Sequence, residues 1–115
     1  MFSFFKKKPP VTEVEFSTNL DTKHVGPFLE RVSQRIESGF GAPERKKVLA
    51  AMPAPTAEEG ADFSFTVRFE GQDSVLKIAI MPDSPETVLL YLVSAPALHS
   101  MIDQEMDRFA EEVGI

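Results

Sequence analysis

The sequence predicts an α+β fold, an antiparallel sheet with a C-terminal helix packed on one face, in the order β-α-β-β-β-β-α. Three observations predict it. Phe63, Phe65, Val67 and Phe69 alternate with Ser64, Thr66 and Arg68, the period of two that marks a strand with one buried face. The run from Thr87 to Val93 is apolar in both of its alternating sets, as in a strand covered on both sides. Between Leu98 and Val113 apolar residues recur at helical spacing.

At 115 residues the chain has room for one domain, expected over residues 11–115, with residues 1–10 as an appendage. Of the residues, 43% are hydrophobic and 26% charged, which suits a packed core. No apolar run approaches the roughly 20 residues of a membrane-crossing helix. The absence of cysteine excludes disulfides, a thiolate nucleophile and zinc-thiolate sites.

Taken in order, Met1 to Pro10 joins Phe2, Phe4 and Phe5 to Lys6, Lys7, Lys8 and two prolines. Apolar residues precede the basic ones, the reverse of a secretory signal, so a cytoplasmic protein is expected. The same residues suit weak peripheral contact with an anionic membrane surface, of marginal affinity in so short a segment. Val14 and Phe16, alternating with Glu13, Glu15 and Ser17, predict the first strand. Gly26 to Gly39 reads as a helix, with Pro27 in its first turn and Phe28, Leu29, Val32, Ile36 and Phe40 recurring at helical spacing on its apolar side until Gly39 and Gly41 stop the pattern. Lys46 to Met52 reads as a second strand ended by Pro53, and Pro53 to Gly60 as a hairpin loop. Phe63 to Phe69, Val75 to Met81 and Thr87 to Val93 continue an antiparallel meander through turns at Gly71-Gln72-Asp73 and Pro82-Asp83-Ser84-Pro85. Ser94 is the expected cap and Pro96 the first turn of the last helix, which Gly114 ends. At 100° per residue, Leu98, Ile102, Met106, Phe109, Ala110 and Val113 fall within an arc of about 120°.

This order resembles, in topology, the repeat unit of the TATA-binding-protein-like fold and the shorter helix-grip domains. The resemblance implies a curved antiparallel sheet wrapping a C-terminal helix. Members of such folds bind DNA, lipids or proteins, so topology does not select a function.

The net charge is −6, with an uneven distribution. Residues 1–47 carry nine Lys/Arg against six Asp/Glu, and residues 48–115 three against twelve. An acidic body repels phosphate backbones, which disfavours nucleic-acid binding. The basic runs Lys6 to Lys8 and Arg45-Lys46-Lys47 read as solvated clusters. Arg31 and Arg35 lie one turn apart; an anion fits there, although Glu30 and Glu37 favour ordinary surface pairing. His24 reads as a surface or capping residue. His99, Asp103, Asp107 and Glu111 form a stripe at i+4 spacing, but no second element supplies converging metal ligands. The six glycines build no phosphate loop, and no serine lies in a G-x-S-x-G elbow. No catalytic, cofactor or metal residues are expected.

The functional expectation is a small non-enzymatic interaction module, binding a protein partner or itself through an apolar sheet face around Leu89, Tyr91, Val93 and Met81. Three covers suit that face: the first helix, a second copy, or another protein or apolar ligand. The alternative is a small apolar-ligand binder, its cavity between sheet and last helix lined by Phe63, Phe65, Phe69 and Phe109.

Overall fold

The first strand, β1 (Val14–Asp21), pairs with the last strand rather than with its neighbour in sequence. The computed structural model describes residues 13–52 and 60–115. After β1 come α1 (Thr22–Ser33), α2 (Ala42–Ala50), β2 (Ala61–Phe69), β3 (Gln72–Pro82), β4 (Thr87–Ser94) and α3 (Pro96–Val113). The four strands form one antiparallel sheet in the order β1-β4-β3-β2. The fold is α+β, with the C-terminal helix packed on the sheet.

The predicted strand Lys46 to Met52 is instead the helix α2, so the order is β-α-α-β-β-β-α. The reason is local. Gly41 takes the N-cap position, Pro43 falls in the first turn, and the Glu44 carboxylate accepts a hydrogen bond from the Gly41 N–H at 2.7 Å. Proline early in the first turn and a glutamate reaching back to the cap are start signals for a helix. The helix α1 also begins earlier than expected, at Thr22, which places Pro27 inside it. Ile36 and Phe40, assigned by spacing to its apolar side, belong to the segment that follows and are nonetheless buried. That segment straps the edge of β2: Glu37 N–H donates to Arg68 O at 2.8 Å and Arg68 N–H to Ser38 O at 2.9 Å. Gly39, at φ +93°, lets the strap turn against Thr66.

The strands follow their patterns. In β2, Val67 and Phe69 are buried, Phe63 and Phe65 half-buried, and Ser64, Thr66 and Arg68 exposed. A two-residue turn, Glu70-Gly71, joins β2 to β3, and both residues have positive φ as a type I′ hairpin requires. At the β3–β4 turn, Asp83 accepts hydrogen bonds from Asn19 at 2.7 Å and Thr87 at 2.8 Å, tying the turn to β1. Those two bonds hold its carboxyl below the usual value, Asn19 contributing most.

In α3 the N-cap is Ala95; Ser94 ends β4, buried, and its hydroxyl has no hydrogen-bond partner among the described residues. Gly114 closes the helix at φ +79°. The buried residues of α3 are Leu98, Met101, Ile102, Glu105 and Phe109. Its buried stripe is thus turned by roughly 70° from the expected arc, away from Val113 and toward Met101 and Glu105.

One core cluster holds the inward face of the sheet, including Phe16, Leu76, Ile78, Leu90 and Leu92, together with the buried apolar residues of all three helices. Phe28 of α1 stands at its centre, 6.3 Å from the Phe16 ring on β1 and 5.8 Å from Phe109 on α3. No helix among the described residues is long and apolar enough to cross a membrane.

Candidate functional site

In β3 and β4 alternate side chains leave the core for the opposite face of the sheet. There Tyr91 pairs across the strands with Ala79, Leu89 with Met81, and Val93 with Lys77. The residues singled out from the sequence, Leu89, Tyr91, Val93 and Met81, are therefore brought together. Ala79 and Val93 are only 0% and 4% exposed, yet neither belongs to the core cluster. Leu89, Tyr91 and Met81 are half-buried, and Val75, at the end of the strip, is 40% exposed.

The flanks are polar: Glu15, Ser17 and Asn19 on β1, Asp62, Ser64 and Thr66 on β2. Lys77 is paired with Glu13 at 3.2 Å. The first helix is not the cover, because α1, α2 and α3 all bury their apolar residues in the cluster on the other side. The face thus carries a second apolar strip that no described helix overlies. Phe2, Phe4, Phe5 and Lys6 to Lys8, with their expected membrane contact, lie outside the described residues, as does the predicted loop from Pro53 except its last residue, Gly60.

Of the four phenylalanines of the expected ligand cavity, Phe69 lies in the core cluster, and the ring contacts of the other three fall in two places. Phe63 and Phe65 stack with their ring centroids 6.2 Å apart beside Phe40, whose ring lies 5.6 Å from Phe65. Phe109 instead meets Phe28 and, edge to face at 5.6 Å, His24. Among the described residues no ring contact joins Phe109 to Phe63, Phe65 or Phe69. His24 is half-buried, and its Nδ1 is enclosed without a hydrogen-bond partner among the described residues.

A cleft does exist, elsewhere: about 910 Å³ where α1, α2 and the end of α3 converge, with Gly26, Arg31, Arg45, Lys46, Leu49 and Phe109 among its lining. Beside it lies a buried carboxylate that spacing alone did not single out. Glu105, 4% exposed, accepts from Arg31 Nε at 2.8 Å through one oxygen, and from Arg35 and Arg108 through the other. Arg31 also pairs with Glu112. The partner of Arg31 and Arg35 is thus a carboxylate of the chain's own α3, not the neighbouring Glu30 and Glu37 that spacing favoured. The signal was available: Glu105 is three residues after Ile102 and four before Phe109, a carboxylate on an apolar stripe. No group of three or more His, Asp or Glu among the described residues is placed to hold a metal ion, the stripe from His99 to Glu111 included.

Burial pushes the Glu105 carboxyl up, but hydrogen bonds from Arg35 and Arg31 and the charge of Arg108 outweigh it and hold the group below its ordinary value. A lowered folded-state value contributes stability that is present above the unfolded value of about 4.3 and is lost as pH falls through the folded one. Glu105→Gln is expected to cost about 1–3 kcal/mol at pH 7, tempered because the arginines reach solvent. The gap from the parent protein should shrink at pH 3 when denaturant midpoints are compared. An equal gap at both pH values would show that charge at Glu105 is not what binds α3 to α1.

Compared with models of protein families, with curated proteins and with solved structures, the chain matches none.

Proposed function

We propose that the chain is a non-enzymatic interaction module that associates with a second copy of itself through the sheet face opposite the described helices. The observation that supports the reading is the strip formed by Ala79, Tyr91, Leu89, Met81 and Val93, partly desolvated and separate from the core. An apolar centre with a polar rim is the anatomy of an association surface.

A second copy is favoured over an oppositely charged partner by the rim. Its cations among the described residues are already paired, Lys77 with Glu13 and Arg68 with Glu37 and Asp73, and the exposed carboxylates Glu15 and Asp62 stand at opposite edges of the sheet, too far apart to form one concentrated patch for a partner to match. The strip runs along β4 and β3, the two central strands, so a twofold axis through it sets the same apolar residues against each other. Sheets packed this way lie about 10 Å apart with strands nearly aligned. Four strands spaced about 4.8 Å, each some 27 Å long, offer about 500 Å² per copy. Two copies then bury about 1,000 Å², the lower limit of a specific interface. The dimer is accordingly weak, dissociating in the micromolar range or above.

Sedimentation velocity over a concentration series tests this. The expected result is a concentration-dependent shift from monomer to dimer, removed by Tyr91→Glu and weakened by Val75→Glu, with both variants folded by circular dichroism. Val75 is exposed, so its variant reports on association even if the Tyr91 variant unfolds. A parent protein that stays monomeric up to about millimolar concentration, the upper end of weak association, overturns the reading. So does a dimer indifferent to Val75→Glu and to any folded Tyr91 variant.

A further inference from the structure

We propose that the cleft between α1, α2 and the end of α3 binds a carboxylate-headed amphiphile, a monoanion with an apolar body the size of a medium-chain fatty acid. The inference is independent of the sheet face, which lies on the other side of the sheet from these helices. At about 910 Å³ the cleft falls within the range of small-molecule sites. Its apolar lining is contributed by Gly26 and Pro27 of α1, Pro43 and Leu49 of α2 and Phe109 of α3. Gly26 matters here because a Cβ at that position would already touch the Leu49 methyl at 3.5 Å. A larger side chain would fill the space between the helices.

The charges are arranged unevenly around that lining. On the α3 side, Arg31 is taken up by Glu105 and Glu112. On the α2 side, Arg45 donates to the Ser33 hydroxyl at 2.7 Å, and neither Arg45 nor Lys46 has a carboxylate within ion-pair distance among the described residues. Two cations without counterions, beside an apolar surface in a chain of net charge −6, are a local match for an anionic head. Glu30 and Glu112, which also line the cleft, repel further negative charge. They disfavour a dianion such as a phosphate monoester and set the orientation: head at Arg45 and Lys46, tail toward Phe109.

The test is a titration of the 15N-labelled full chain with sodium decanoate below its micelle concentration, with decanol as the neutral counterpart. Saturable amide shifts at Gly26, Leu49 and Phe109 are expected. Decanol should bind more weakly. The double variant Arg45→Glu, Lys46→Glu should bind decanoate about tenfold less tightly, the loss of two charge-assisted contacts. If that variant unfolds, Arg45→Gln with Lys46→Gln removes the charge while sparing the fold. Equal affinity of a folded charge variant, equal affinity for decanol, shifts centred on Leu89 and Tyr91, or no saturable shift would each overturn the proposal.

Discussion

Phe28→Ala is expected to destabilise the protein by about 3–5 kcal/mol, the range for removing a large ring from a filled core. The side chain is fully buried, and its ring touches Phe16 of β1 and Phe109 of α3. It is therefore the point where the sheet, the first helix and the last helix meet. Truncation removes apolar contact and leaves a cavity bounded by three elements, which cannot all collapse inward without shifting the helices on the sheet. Against a typical domain stability of about 5–15 kcal/mol, this is about a fifth or more of the total. Urea denaturation checks it through a lowered midpoint at constant slope. A loss below about 1 kcal/mol would mean that the aromatic contacts do not join the layers.

Gly39→Ala is expected to cost about 3 kcal/mol or more, although it adds one carbon atom. Two effects combine. At φ +93° an L-residue is strained, and the new Cβ would lie 2.1 Å from Thr66 O and 2.7 Å from Val67 Cα, both backbone atoms of β2 that cannot rotate away. Relief requires lifting the strap from β2, which breaks the Glu37 and Arg68 backbone bonds and withdraws Phe40 from Phe65. Hydrogen exchange should show faster exchange at Arg68 N–H, well beyond any change in β4. Gly71→Ala serves as comparison: its φ is also positive, at +75°, but nothing lies within 4 Å of the added carbon, so about 1–2 kcal/mol is expected. Equal costs at the two positions would remove the close approach from the explanation.

The strands were legible because each strand signal is short-range. In β2 and β4 the side chains alternate within seven residues, and burial follows the alternation almost residue by residue. The apolar strip was legible for the same reason, since Leu89, Tyr91 and Val93 share one parity. What covers a strip is decided by other elements, and parity carries no information about them. α2 was misread because Val48 and Leu49 look like strand residues when Gly41, Pro43 and Glu44 are not weighed as a helix start. That error also hid the cleft, one wall of which is α2. Pro27 misled in the opposite direction, drawing the start of α1 toward itself when the helix begins at Thr22. The Arg31 to Glu105 contact spans most of the chain, beyond any window of local spacing.

The pairing of β1 with β4 bears on the order in which the structure can form. Val14 bonds opposite Ser94 and Asp21 opposite Thr87, so the first strand has no sheet partner until the other three strands have been made. The β2–β3 hairpin, closed by a two-residue turn, is local and forms early; closing β1 onto β4 comes late, against the entropy of a long loop. On a ribosome, β1 and α1 emerge before β4 and α3 and wait for them with Phe16, Phe28 and Leu29 uncovered. β1 and α1 are thus the elements of this domain most dependent on segments translated after them.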